Sequence, residues 1–174
     1  MSGLAFQPPI TQAALDAVTA GLTPLGPFTV ATLPAPTAAN IGRTATVTDL
    51  FGSRYSRVRC ERVGDFHFWQ PLSSDSFGDI AVAANMTLLP LSSPTTISLS
   101  GAVNAGVSRS VTLGTAGGWP GAVKEIRSDM TLGLGSGLNI LGTGLGSGLS
   151  LLLGGYRKFG LDYAGGVLTW KLLT

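Results

Sequence analysis

Hydrophobic and polar residues alternate along much of this chain, and a period of two is the pattern of a β-strand with one buried face. In the first half of the chain the alternation predicts strands over residues 28–33, 43–49, 57–62 and 66–69. Pro34 and Pro71 end two of these stretches, and Gly64 lies in the turn between the last two strands. Together they predict a first β module, followed by a polar linker at 73–76.

The second half is a succession of shorter stretches of the same kind, separated by glycine pairs such as Gly117-Gly118. Strands are predicted over 86–89, 95–99, 108–113, 122–127, 130–134, 138–141, 149–153, 156–163 and 167–172. Many short strands with frequent turns are typical of a sandwich or jelly roll. The sequence therefore predicts an all-β fold of two small antiparallel modules, residues 25–76 and the glycine-rich residues 77–174. The hexamer Gly-Leu-Gly-Ser-Gly-Leu occurs at 133–138 and 144–149, and one duplication is too little to predict a solenoid.

Residues 1–24 contain the one helix that the pattern predicts. Thr11 is a candidate N-cap, Gly21 is a candidate stop, and the apolar residues between them recur at helical spacing. The residues before this helix are apolar and include two prolines, which favours an extended arm. Such an arm either docks on another protein or straps its own domain. The residues predicted to anchor it are Leu4, Phe6, Pro8, Pro9, Ile10 and Leu15.

The composition constrains the surface of the protein. Charged residues make up 11% of the chain, against about 25% in an ordinary soluble domain, and hydrophobic residues make up 44%. A single copy would expose a large apolar surface, so we expect much of that surface to be covered by other copies or by a lattice. The net charge of +2 is too small to indicate nucleic-acid binding.

Residues 130–156 are the one stretch that is long enough and poor enough in charge to suggest a membrane span. They contain no Asp, Glu, Lys or Arg. Their nine glycines and the period of two among their leucines favour buried β structure over a helix. The first residues of the chain also lack the basic and long apolar regions of a signal peptide. No membrane insertion is expected.

Few residues have the chemistry of an active site. Cys60 and His67 are the only cysteine and the only histidine, which excludes an intramolecular disulfide and most metal sites. The glycine-rich region contains neither a GxxxxGK[ST] loop nor a GxGxxG motif before a helix. We interpret Cys60 as a small inward-facing residue and His67 as a residue of a sheet face. No enzyme activity, cofactor or bound metal is expected.

Two groups of side chains are candidates for contacts with partners. A cluster of arginines either forms a solvated face that protects a sheet edge or docks against an acidic partner. This cluster is Arg54, Arg57, Arg59 and Arg62. Large apolar residues of both modules are expected to be core or subunit-interface anchors. The interface candidates are Trp69, Leu149, Leu151, Leu153 and Trp170.

Two parts of the chain resemble modules that recur in structural proteins of tailed bacteriophages. The first part is LPAPTAANIGRTATVTD at 33–49 together with FWQP at 68–71. The second part runs from VKEI at 123–126 through LLLGG at 151–155 to LDY at 161–163 and LTW at 168–170. This second part is similar to β modules of head-decoration, head-fibre and tail-fibre proteins. The resemblance implies a homotrimer with strands interwoven around a threefold axis and with no catalytic residues.

The resemblance also implies a place in the virion. The chain has neither a repetitive shaft nor a sizeable receptor-binding tip, which favours a decoration or cement protein on the capsid surface. Such a protein would contact copies of itself and the major capsid protein or another virion protein. The alternative is a tail-fibre or receptor-binding adhesin, in which loops around Trp119 or the glycine-rich turns contact a host surface glycan. A small hydrolase on a β scaffold is the residual third hypothesis.

Overall fold

A computed structural model describes residues 24–52, 54–73, 75–146, 148–151 and 154–174, with Arg54 described by its backbone alone. Within these ranges the chain is all-β, which confirms the predicted fold class. It forms fifteen strands and two short 3-10 helices, Val30–Thr32 and Ala38–Asn40. The helix and arm predicted before residue 24 lie outside the described residues.

The first module is a four-stranded sheet in the order β1-β2-β3-β4. Its strands are β1 Leu25–Phe28, β2 Thr44–Leu50, β3 Arg54–Val63 and β4 Phe66–Pro71. β2, β3 and β4 are antiparallel neighbours, whereas β1 runs parallel to β2. Alternate residues of β2 and β3 face the core, among them Ala45, Val47, Val58 and Cys60. The strands predicted at 43–49, 57–62 and 66–69 and the inward position of Cys60 are confirmed.

The strand predicted at 28–33 is wrong beyond its first residue. Thr29 caps the helix Val30–Thr32, because its hydroxyl accepts a hydrogen bond from the Thr32 N–H at 3.2 Å. The Val30 N–H donates to the Asp49 carboxylate at 2.6 Å. Side-chain oxygens of Thr and Asp compete with a strand ladder for backbone N–H groups, and here they bind the N–H groups that a strand would use.

The second module contains eleven strands, most of them in stacked coils. The strands are β5 Phe77–Ala81, β6 Met86–Leu88, β7 Thr96–Ser100, β8 Ala102–Val103, β9 Ser108–Leu113, β10 Val123–Ser128, β11 Thr131–Leu132, β12 Gly137–Gly142, β13 Leu149–Ser150, β14 Tyr156–Ala164 and β15 Val167–Leu172. β5, β7 and β10 form one parallel ladder, β6, β9 and β12 form a second, and β8 and β11 form a third. Because successive strands of each ladder belong to successive turns of the chain, residues 77–142 form a short parallel β-helix of three coils.

The antiparallel pairing predicted for this module is therefore wrong for its coils, which form a solenoid that one duplicated hexamer was too little to predict. Among its described strands, antiparallel pairing occurs only where β14 joins β10 to β15 and where β13 pairs with β12. The individual strands were largely predicted, and those at 108–113 and 167–172 coincide with β9 and β15. A period of two is common to parallel and antiparallel strands, so the pattern predicts the strand and not its direction of pairing.

A 29-residue repeat relates the second and third coils. All three ladders keep this spacing, in the pairs Thr96 and Glu125, Ala102 and Thr131, and Ser108 and Gly137. The spacing stacks Ile97 on Ile126 and Val111 on Ile140 in the interior. The first coil is shorter, so only two coils share the repeat and its signal in the sequence is weak.

Glycine lets neighbouring coils approach each other closely. A Cβ on Gly133 would lie 2.5 Å from the backbone nitrogen of Ala105 in the preceding coil, so no side chain fits there. Gly106 and Gly135 occupy the same turn of successive coils, with φ of 73° and 69°. This left-handed region favours glycine. Glycines of this module thus allow its tight turns and the close stacking of its coils.

The two modules pack on each other through side chains, and no strand ladder among the described residues joins them. The ring of Phe66 stacks on that of Tyr163 at a centroid distance of 4.7 Å. The Phe51 N–H donates to the Leu91 carbonyl at 2.7 Å. Buried residues of both modules belong to one hydrophobic cluster. The junction between the modules is therefore an extension of the core, with clefts at its margins.

Candidate functional site

Three of the predicted interface residues are buried within the single chain. Trp170 is 0% exposed, and its indole N–H donates to the Gly114 carbonyl at 3.1 Å. Trp69 is also buried, and its N–H donates to the Pro34 carbonyl at 2.7 Å. Leu151 is buried as well. These side chains have no free surface for a second copy, so the interface prediction is corrected to the core alternative for all three.

The remaining interface and anchor predictions fall on other parts of the chain. Leu149 is half-buried and packs against the core. Leu153 lies outside the described residues. So do all six residues predicted to anchor the N-terminal arm, which are Leu4, Phe6, Pro8, Pro9, Ile10 and Leu15.

The arginine cluster lies on β3 at the surface of the first module. Arg57 and Arg59 alternate with buried residues of the strand and are exposed, as is Arg62 near its end. The Arg59 Nε contacts a Glu61 carboxylate oxygen at 3.1 Å. The side chain of Arg54 is outside the described residues. An exposed arginine face is thus present, and its docking to an acidic partner stays a prediction.

β5 presents an open sheet edge at the first coil of the β-helix. The Val82 N–H donates to the Ser100 carbonyl at 2.9 Å, so the even-numbered residues of this segment direct their backbone groups towards β7. The N–H and C=O groups of Phe77, Asp79 and Ala81 then point away from β7. β5 ends the order of its sheet, and no described strand pairs with this side. Within the described part of the chain, this edge is therefore open to an added strand.

One exposed apolar side chain lies on this edge, and others lie elsewhere on the protein. Phe77, the first residue of β5, is 68% exposed, and Leu134 in a turn of the third coil is 91% exposed. Other large apolar residues with substantial exposure lie on both modules: Tyr55, Val63, Leu72, Val167, Leu172 and Leu173. β5 carries neither Lys nor Pro, which proteins commonly use to block edge pairing, and its one acidic residue is the exposed Asp79.

Lys124 is a buried lysine whose position was not predicted from the sequence. It lies on β10, is 1% exposed, and places its ammonium 5.9 Å from the centroid of the Phe51 ring. The ammonium donates to the carbonyls of Ser93 at 2.5 Å, Pro94 at 2.7 Å and Pro90 at 3.3 Å. Burial lowers the pKa of Lys124 to about 7.

The arrangement makes Lys124 a clamp between parts of the fold that are distant in sequence. It ties the third coil to the segment 90–94, which connects the first two coils, and to the first module through Phe51. The alternation on β10 could have indicated this role, because Lys124 lies between Ala122 and Ile126 in a series of alternate residues that are all buried. A lysine in such a series needs buried acceptors.

A mainly polar cleft of about 380 Å³ lies where the two modules meet. Its lining residues are Gln70, Pro71, Asp75, Thr95, Thr96, Trp119, Gly121, Val123, Glu125 and Lys158. The Lys158 ammonium contacts a Glu125 carboxylate oxygen at 2.8 Å across β10 and β14. The hydrogen bond to Glu125 raises the pKa of Lys158. The cleft therefore offers charged and neutral hydrogen-bonding groups around one buried tryptophan.

His67 lines a second, mainly apolar cleft of about 530 Å³ together with Phe66, Phe68 and Tyr163. Its Nε2 is buried and has no partner among the described residues. Nowhere in the described ranges do three His, Cys, Asp or Glu side chains come together to hold a metal ion. The helices described in the structure include none that is long and apolar enough to span a bilayer.

Comparisons with protein-family models, with curated proteins and with solved structures found no match to this chain. The surface features that bear on function are the β5 edge with Phe77, the arginine face of β3 and the polar cleft between the modules.

Proposed function

We propose that this protein is a non-enzymatic structural component of a bacteriophage virion. In this proposal it forms a homotrimer that decorates or cements the capsid surface, and residues 1–24 anchor it to the major capsid protein or another virion protein. The observation that carries the proposal is an open sheet edge next to an exposed Phe77, on a chain with only 11% charged residues. Such a surface is suited to permanent contacts with other protein.

The β-helix supports this role mechanically. Its coils are held by backbone ladders in three directions around the axis, and an open end can accept further strands from a neighbour. In a cyclic trimer each β5 edge would contact a different surface of the next copy, which closes the ring without leaving an edge free. The resemblance to head-decoration and head-fibre modules is the second line of support.

Imaging of intact virions tests the proposed location. Immunogold labelling of phage particles with an antibody against this protein is expected to place the label over the capsid shell. Label confined to the ends of tail fibres would contradict the capsid proposal and favour the adhesin alternative. Particles without label would contradict both.

Sedimentation velocity tests the trimer and the β5 edge. The purified protein is expected to sediment as three chains, and a single species of 17.8 kDa would contradict the trimer. Phe77→Lys is expected to shift the protein towards single chains, because a charge on an edge strand opposes pairing. Leu134→Lys, at another exposed apolar residue away from β5, is the matched control. If both variants dissociated equally, or if neither dissociated, the role of the edge in assembly would be contradicted.

A further inference from the structure

We propose that β5 of one copy docks on the arginine face of β3 in the next copy, with Asp79 of the first paired to Arg57 of the second. The inference rests on the proposed assembly of identical copies and names the two surfaces that meet in it. Three observations carry it. They are an unpaired carboxylate on β5, an unpaired guanidinium on β3, and an exposed aromatic side chain at the same spacing from each.

Asp79 is an unpaired charge on the outer face of its sheet. It is exposed, and no hydrogen bond or ion pair joins its carboxylate to another residue of the described ranges. The charges of the strands beside it are already paired. Arg127 contacts Asp129 at 3.0 Å, and Lys158 contacts Glu125 at 2.8 Å. A cation supplied by another molecule would therefore find Asp79 free.

Arg57 is the corresponding unpaired charge on the first module. Its side chain is exposed and has no hydrogen bond or ion pair within the described part of the chain, whereas Arg59 on the same face is paired with Glu61. Its neighbours across the sheet, Thr46 and Leu72, carry no charge. Asp79 and Arg57 are thus opposite in sign and lie on different modules, as a contact between unlike surfaces of successive copies requires.

An exposed aromatic side chain precedes each of these charges by two residues. Tyr55, which is 73% exposed, precedes Arg57 on β3, and Phe77 precedes Asp79 on β5. Residues two apart in a strand share a face and lie about 7 Å apart, so the two pairs have the same spacing. When the two strands face each other in the same direction, Phe77 packs on Tyr55 while Asp79 reaches Arg57. Tyrosine and arginine are also enriched among the residues that dominate binding energy at interfaces.

A second β5 edge fits β5 less well than the arginine face does. The backbone groups that point away from β7 belong to Phe77, Asp79 and Ala81. Symmetric antiparallel pairing of all three residues would place two Asp79 carboxylates directly opposite each other, and like charges in that position are destabilising. β3 lies between β2 and β4, so its contact with β5 is made by side chains and not by a backbone ladder.

Exchange of the two charges tests the pairing. Sedimentation velocity of the full chain is measured at low ionic strength, where contacts between charges are least screened. Asp79→Arg and Arg57→Asp are each expected to raise the concentration needed for assembly at least about tenfold, because each places like charges together. The variant with both substitutions restores opposite charges and is expected to assemble within about twofold of the wild-type protein.

Arg62→Asp and Asp65→Arg, made singly and together, are the matched control. Both residues are exposed at the hairpin of β3 and β4, and neither side chain has a partner among the described residues. These variants should assemble like the wild-type protein. Wild-type assembly of both single charge variants of the proposed pair, or no recovery in their combination, would overturn the pairing and leave the trimer standing. A wild-type protein that sediments as one chain would overturn the trimer and this inference with it.

Discussion

Trp170→Ala is expected to lower the free energy of unfolding by about 3–5 kcal/mol, the range for removing a fully buried large aromatic side chain. Trp170 has no exposed surface and lies on β15, and its ring lies so near the third coil that a Cβ added at Gly142 would be 3.3 Å from it. The substitution would leave a cavity between the terminal hairpin and the β-helix. It would also leave the Gly114 carbonyl without the donor that it now has at 3.1 Å.

Equilibrium urea denaturation followed by circular dichroism measures this loss. Val167→Ala, at an exposed residue of the same strand, is the control and should change stability by less than about 0.5 kcal/mol. Trp170→Phe retains part of the ring but not the N–H, so its effect should fall between the two. A loss for Trp170→Ala as small as that of the control would show that the hairpin does not pack on the coils as described.

Lys124→Met has the second largest expected effect. Methionine matches the length of the lysine stem but cannot donate, so the carbonyls of Pro90, Ser93 and Pro94 lose a shared buried donor. We expect the free energy of unfolding to fall by about 2–3 kcal/mol near pH 7. Lys171→Met removes an exposed lysine paired with Asp162 and should cost less than about 1 kcal/mol.

The pH dependence of this difference gives a sharper test. Lys124 has a pKa of about 7 in the folded protein, below the ordinary value of 10.5 for an unfolded chain. Between these two values the unfolded chain binds the proton and the folded protein does not, so unfolding takes up a proton and becomes less favourable as pH rises. The stability of the wild-type protein relative to Lys124→Met is therefore expected to increase from pH 7 towards pH 10. Groups common to both proteins cancel in this comparison.

Urea denaturation of both proteins at pH 6.5, 8 and 9.5 provides the measurement. A stability difference that stays constant over this range would mean that Lys124 keeps its proton in the folded protein. A difference that falls with rising pH would contradict the lowered pKa outright.

Much of the local structure could be predicted from the sequence. The alternation of residues predicted the strand around Thr46, the inward position of Cys60 and the whole of β9 and β15. These features depend on which face of a short segment is apolar, and that information lies within a few neighbouring residues. The strand predicted at 28–33 failed because Thr29 and Asp49 offered hydrogen-bond acceptors that alternation does not report.

The candidate site was predicted less well than the strands. Trp119 was recognised as a residue of interest, but its burial and its place in the cleft depend on how the modules pack. The acceptors of Lys124 come from a segment about thirty residues earlier in the chain. No residue near Lys124 in the sequence therefore predicts these hydrogen bonds. Phe77 and β5 were not predicted at all, since the segment is short and contains glycine and aspartate.

The sequence by itself determined that this chain forms β-strands and which residues of most strands face inwards, because both follow from local periodicity. Only the tertiary structure decided that strands 29 residues apart stack in parallel, that Trp69 and Trp170 belong to the core, and that a buried ammonium joins the two modules. The physical reason is that a strand's period specifies its faces, whereas its partner is chosen by contacts between segments far apart in the chain.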